Sequence, residues 1–250
     1  MQKLSKIIIV AFLLISLDSF GQSTSIGIAL GPTYSKPMIK NTAENSSTTK
    51  YSHFSDAVFS VFGQHNFKEN FGLVLDVGLC HRGIAMKQPV TIAVTDPSTL
   101  DVSYQYKNDK YRNQLSYLDN YLLAKYIMID KNAKKVQAYV NAGPYYSVLL
   151  KTRRYIVDEY YDDNGYYGIN EVRGVNAGNI RSSYKKSDLG FALGGGLEYG
   201  RFGLDYRYSL GFINISNIAG TKMYSRFSTV KLTFVMAKKF SKQEQKTENN

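Results

Sequence analysis

Polar and apolar residues alternate with a period of two along much of the chain. Leu189, Phe191, Leu193, Leu197 and Tyr199 fall on one parity, opposite Gly190, Ala192, Gly194, Gly196 and Glu198. Side chains that alternate in this way line the two faces of a β-strand. The next segment repeats the pattern, with Leu204, Tyr206, Tyr208, Leu210 and Phe212 opposite Asp205, Arg207, Ser209 and Gly211. Val230, Leu232, Phe234 and Met236 oppose Lys231, Thr233 and Ala237, and Ile26, Ile28, Leu30 and Tyr34 oppose Ser25, Gly27, Ala29 and Thr33. In a fifth segment Leu73, Leu75, Val77 and Leu79 oppose Asp76, Gly78, Cys80 and Arg82. Segments 53–66, 114–128 and 137–150 have mixed parity, and Pro144 is unusual for a central strand. Their Tyr, Phe, Val and Leu content and the turn signals around them still predict strands, which makes eight.

The links between strands alternate as well. Those at 67–70, 129–136 and 200–201 are short, whereas those at 36–52, 84–113, 151–187 and 213–224 are long and polar. Short turns taking strict turns with long loops, around an even number of strands, is the pattern of a transmembrane β-barrel. The expected fold is all-β: an eight-stranded antiparallel up-and-down transmembrane β-barrel with four long extracellular loops and three short periplasmic turns. A soluble carrier barrel would place apolar residues inside and polar ones outside. Here one face is bulky and apolar, which suits lipid. The other holds Gly, Ala, Ser and Thr with scattered charges, which suits a narrow lumen. An unpaired charge at the lipid midplane costs about 2–4 kcal/mol, so Asp76, Glu198, Asp205 and Arg207 are expected to point inward as a lumen charge network. With no Trp in the chain, Tyr34, Tyr117, Tyr126, Tyr199 and Tyr208 are expected to supply the interfacial girdles.

The first residues serve a different purpose. Lys3 and Lys6 precede the apolar run from Ile7 to Leu17, and Ser19 and Gly21 stand at −3 and −1 before Gln22. That run is too short to span a bilayer as a helix, so residues 1–21 read as a cleaved signal peptide. No Cys follows it to carry a lipid. The domain plan is therefore a signal peptide at 1–21, a barrel at 22–240 and a polar tail at 241–250. Lys and Arg number 31 against 20 Asp and Glu, an excess that fits the phosphates of an anionic outer leaflet. Export excludes nucleic acid as a partner. The single Cys gives neither a disulfide nor a thiolate zinc site.

The stretches GIALGPTYS (27–35), LDVGLCHRG (75–83), LSYLDNYLLAKY (115–126), YVNAGPYYSVLLK (139–151), DLGFALGGGLEY (188–199) and LDYRYSLGFINI (204–215) resemble the PorT-like outer-membrane β-barrel family, also known as a porin family. The similarity covers residues 26–240, and its most specific pieces are GFALGGGLEYG and the following DYRYSLGF, with Arg207 in the family's Arg-Tyr pair. Asp119 and Tyr121 replace the Glu and Pro of the family's YLEIP pattern. The tail SKQEQKTENN follows Phe240, where such barrels usually end on an aromatic. The resemblance implies location and fold, and an association with secretion or gliding machinery. One barrel fold serves many roles, so activity does not follow from it.

Chemistry-bearing motifs are sparse. His53 and Ser55, two apart on one face, match the His-x-Ser pair of outer-membrane lipid A deacylases, a base beside a hydroxyl nucleophile, but no orienting carboxylate accompanies them. His65 and His81 lack partners at ligand spacing. Asp162-Asp163-Asn164-Gly165 resembles part of a calcium loop without its remaining ligands, and Asn164-Gly165 equally favours a hairpin turn. Arg153, Arg154, Tyr155, Tyr160, Tyr161, Tyr166 and Tyr167 in segment 151–187 form a candidate surface-binding loop, since Tyr with Gly, Ser and Asn makes adaptable binding surfaces. The sequence thus predicts a non-enzymatic outer-membrane protein without a cofactor. Its expected partners are outer-membrane lipid, including anionic outer-leaflet lipid, and envelope or secretion-machinery proteins. The alternatives are a small hydrolase resembling a lipid A deacylase, or a narrow passive channel.

Overall fold

The computed structural model describes residues 23–41, 50–67, 70–95, 102–128, 136–162, 165–175 and 180–240. Residues 41, 50, 87–95, 102–110, 156–162, 165–175 and 240 are described by their backbone alone. The signal peptide and the polar tail expected at the two ends lie outside the described residues.

Eight strands form a ring: β1 (Ser23–Ser35), β2 (Phe54–Asn66), β3 (Phe71–Thr95), β4 (Val102–Met128), β5 (Val136–Asp162), β6 (Ser187–Tyr199), β7 (Phe202–Gly211) and β8 (Arg226–Phe240). Each pairs antiparallel with its sequence neighbours, and β8 pairs with β1 from Ser23↔Phe240 to Ser35↔Phe227. The ring is closed, so these barrel segments leave no edge within the hydrocarbon, where an unpaired backbone group is costly. The outward parity is the apolar one. Leu30, Phe59, Leu79, Leu122, Leu193, Leu204 and Leu232 are all exposed, as expected of a wall solvated by lipid.

The three segments of mixed parity share one cause. On β2 and β4 the inward positions are themselves apolar in part, with Val58, Phe62, Leu115 and Leu123 buried. On β5 Tyr139, Tyr145 and Leu149 are likewise buried on the inward face, and at the end of the segment an extra residue enters opposite β4, where Ser116 pairs with Lys151 and Tyr117 with Leu149. Beyond this bulge the alternation is inverted. Pro144 does lie in a central strand, and the β4–β5 register passes from Tyr121↔Tyr145 to Ala124↔Ala142 without pairing at Pro144, as a residue without an N–H requires.

Two segments expected to be loops are in large part strand. β3 and β4 stay paired from Ile84↔Asn113 to Thr95↔Val102, and β5 continues to Asp162 before pairing with the strand Gly165–Val175. Polar composition had suggested loops at 84–113 and 151–187. These stretches lack apolar alternation, but Val90, Thr91, Ile92, Val94, Tyr104 and Tyr106 have high β-propensity. The remaining links at this end fold across the mouth. Met38–Asn41 pairs with Thr221–Tyr224, a 3₁₀ turn spans Arg181–Ser183, and Tyr184 bridges to Ser216.

Inward glycines are spaces for neighbouring rings. A Cβ on Gly190 would stand 2.6 Å from the Tyr145 ring, and one on Gly196 would stand 2.5 Å from the Tyr139 hydroxyl. At the opposite end Gly200, with φ of 60°, makes the tight β6–β7 turn, a left-handed conformation that favours glycine.

The closed ring predicts heat-modifiable migration. Unboiled and boiled samples should run differently on a denaturing gel, and identical mobility would contradict closure. Gly190→Leu should weaken or abolish the folded band, since overpacking costs about 1–3 kcal/mol even where neighbours can yield.

Candidate functional site

The lumen is filled by side chains in layers. Nearest the short turns, Lys125 donates to Glu198 and to Gln64 (2.9 Å), with its ammonium 3.9 Å from the centre of the Tyr139 ring. Above this pair, Arg207 donates to Asp76 (2.8 Å) and stands 3.1 Å from Asp205. Lys231 also donates to Asp76. Tyr139 and Asn141 donate to Asp205 at 2.8 and 3.1 Å. Asp76, Asp205, Arg207 and Lys231 are all buried.

A third layer is built on Arg82, which donates to Asp119 (2.8 Å) and Asp188 (3.2 Å). Its guanidinium lies 4.1 Å from the ring centres of both Tyr117 and Phe227, and Tyr145 donates to Asp188 at 3.0 Å. The planar fork of arginine suits two carboxylates and two ring faces at once. Over this layer lies an apolar cap. Ile84, Leu115, Leu149, Ile180, Tyr184, Ile215 and Met223 form one buried cluster, drawn from the strands and from the segments folded over the mouth. Burial of Tyr184 in this cap raises its phenol pKa.

Among the described residues little open space remains at these layers. A hollow of about 600 Å³ opens at the turn end between Ser25, Gln64, Glu198, Arg201, Thr233 and Lys238. Beyond it the space beside Asp76, Lys125 and Asp205 is about 30 Å³ and that under the cap about 20 Å³, room for about one or two waters each.

Asp76, Asp205 and Arg207 of the expected lumen network come together, while Glu198 joins Lys125 in a separate layer. The sequence reading missed Arg82, Asp119, Lys125, Asp188 and Lys231. Arg82 and Lys231 shared the inward parity of Asp76 and could have been included on that signal. Asp119 and Lys125 were obscured by their apolar inward neighbours, whereas Asp188 opened its strand on the same parity as Gly190 and could also have been included. Tyr117 was expected in a girdle but is buried in the lumen against Arg82, because its parity on β4 is inward. Tyr34, Tyr126 and Tyr199 are exposed on the outer wall.

The candidate surface-binding residues divide. Arg153 is exposed on the outer wall. Arg154 turns the other way and donates to Asn113 (3.0 Å), and the Tyr155 hydroxyl donates to Gln114 (3.4 Å). Tyr160, Tyr161, Tyr166 and Tyr167 lie in the paired strands of this hairpin, but their side chains are outside the described residues. So are Asp163 and Asn164 of the calcium-like motif. His53 and Ser55 are exposed, and no hydrogen bond joins them among the described residues. His65 shares a hydrogen bond with Thr24 (2.9 Å). His81 stands 3.5 Å from Asp56, to which Gln114 donates. Among the described residues no group of three or more His, Cys, Asp or Glu is placed to hold a metal ion.

Asp76 holds two buried cations, so its loss should be severe. Asp76→Ala is expected to cost about 3–5 kcal/mol, as when one partner of a buried ion pair is removed. Adding Lys231→Met should recover part of that loss. Urea unfolding in micelles checks both changes.

The sequence profile for the outer membrane protein beta-barrel domain matches residues 20–217. Comparison with the curated proteins found no match. Solved structures with similarity include the outer membrane protein OprG from Pseudomonas aeruginosa, 13% identical with a TM-score of 0.42, over 88% of this chain and 98% of that one. Ail, the attachment invasion locus protein of Yersinia pestis, is 10% identical with a TM-score of 0.34, over 86% and 99%. Outer membrane protein W of E. coli is 14% identical with a TM-score of 0.34, over 86% and 98%. On the match of the profile to most of its length, and with a closed eight-stranded ring, the chain belongs to the outer membrane protein β-barrel domain family.

Proposed function

We propose that this outer-membrane barrel is a non-enzymatic, non-conducting anchor that holds a binding blade outside the cell. The observation that carries the reading is the inequality of strand lengths. β1, β2 and β6 have 13 residues each and β7 has 10, whereas β3 has 25 and β4 and β5 have 27. About 9–11 residues suffice to cross a bilayer. The surplus of three adjacent strands, joined by Gly165–Val175, makes a sheet that continues past the lipid belt on one side of the ring. Such a sheet has no part in lining a pore, and filled layers in the lumen argue against transport. Both ends of the described barrel lie with the short turns. A chain exported through a signal peptide starts in the periplasm, so the blade would face outward.

Membership of the PorT-like branch, with an accessory role in an envelope or secretion assembly, is the finer reading. It is supported by the sequence resemblance over residues 26–240. The hydrolase alternative has less support, since His53 and Ser55 lie exposed and unlinked.

Planar-bilayer recordings of the pure barrel should show little steady conductance; large stable openings would restore the channel reading. On intact cells a tag inserted between Asp162 and Gly165 should be labelled, and one after Asn250 should be protected until the outer membrane is opened. The reverse pattern would overturn the orientation and the external blade with it.

A further inference from the structure

The bulge in β5 has a consequence on the outer wall. Continuous alternation from buried Leu149 would turn Lys151 and Arg153 into the lumen. The extra residue at Leu150 inverts the parity, so that Thr152 is buried while Lys151 and Arg153 are exposed. Bulges re-aim side chains in this way. The register sets the neighbours: Lys151 lies opposite Ser116, Arg153 opposite Gln114, and Tyr155 opposite Arg112. Lys151 and Arg153 are therefore about 7 Å apart along the strand, and Arg112, also exposed, is a diagonal neighbour of Arg153. On the other flank the Leu149 N–H donates to the Lys186 carbonyl (2.8 Å), which brings exposed Lys185 and Lys186 beside Lys151. Among the described residues no carboxylate pairs with any of these five cations. Among the acids whose side chains are described, Asp56 lies beside Gln114, accepts from it and faces His81.

Directly below lies the lipid belt, with Leu122, Tyr146, Leu150 and Leu189 each more than two-fifths exposed. The patch is thus at headgroup height on a convex wall. A dissolved anion would find no enclosure there. A phosphate tethered to acyl chains in the belt would be held at this height by its own lipid.

We propose that Arg112, Lys151 and Arg153, flanked by Lys185 and Lys186, bind the phosphate headgroup of a phosphorylated membrane lipid on the outer wall of β4 and β5. The assignment to the outer leaflet rests on the orientation proposed above, whereas the binding does not. Arginine supplies bidentate donors to phosphate and lysine a mobile charge, and the acyl chains would pack on Leu150 and Leu189.

The test uses the folded barrel in phosphatidylcholine nanodiscs doped with bisphosphorylated lipid A, transferred to mild detergent and weighed intact by native mass spectrometry. Retained lipid A is expected. The dephosphorylated form with the same acyl chains should be lost. The triple variant Arg112→Gln, Lys151→Gln, Arg153→Gln should lower retention about a hundredfold, from the loss of three interfacial cations. Lys36→Gln, Lys222→Gln, Arg226→Gln removes equal charge from exposed positions at the same end but on the opposite side of the ring, and should leave retention unchanged. Equal losses in the two triples would mean charge without a site and would overturn the proposal. So would equal retention of the dephosphorylated lipid, or displacement by inorganic phosphate alone. The wild-type comparison of the two lipid forms decides the matter even if a variant fails to fold, and it is done in a symmetric bilayer, so it fails or succeeds independently of the orientation.

Discussion

Eight strands closed into a ring enclose a space about as wide as the side chains that must fill it. The ring's outer surface is claimed by lipid, so every charge the strands carry across the membrane has to go inside and find a partner there. Removing one partner of such a pair costs several kcal/mol, and this constraint organises the whole interior. Asp76 serves both Arg207 and Lys231, Arg82 serves both Asp119 and Asp188, and Lys125 is shared by Glu198 and Gln64. Apart from Arg82 with Asp119 on neighbouring strands, these contacts join strands that are not adjacent in the ring, so the pairs brace the barrel across its lumen as well as satisfying the charges.

Packing follows the same logic. Large rings on β4 and β5, namely Tyr117, Tyr121, Tyr139 and Tyr145, need room that a uniformly bulky interior would deny them. β6 supplies it with Gly190, Ala192, Gly194 and Gly196 on its inward face. The rings then sandwich the cations, as Tyr117 and Phe227 do with Arg82. At the loop end the polar layers give way to the apolar cap, while the turn end stays open as a blind hollow. A barrel built this way is a solid post that carries an uneven extension of its wall, formed by β3, β4 and β5.

Much of this was legible in the sequence, because period-two alternation is strong wherever one face meets lipid and the other meets small or charged residues. β6 and β7 are such strands, and Asp205 and Arg207 could be placed inward from parity alone. β2 and β4 concealed their faces because the lumen also needs apolar filling, which puts Val58, Phe62 and Leu123 among polar inward positions. β5 concealed its face in the same way, with Tyr139, Tyr145 and Leu149 inward and Ala142 and Pro144 on the outward parity; the bulge at Leu150 then reverses parity beyond that segment, and no local composition announces it. The extensions of β3 to β5 read as loops because their sequence is polar and lacks the period-two alternation by which barrel strands are recognised. Pairings such as Lys125 with Glu198 depend on register, which sequence alone did not provide.

The lone thiol offers the most direct test of a solid lumen. Cys80 is fully buried on β3 between the Asp76 and Arg82 positions, with Thr33 3.5 Å away across the lumen wall. A small water-soluble methanethiosulfonate reagent applied to the folded barrel from either side should leave Cys80 unmodified, and boiling in detergent should make it reactive. Rapid modification of the folded barrel would show a water-filled path to the middle of the lumen, and would contradict the account in which paired charges and rings close it.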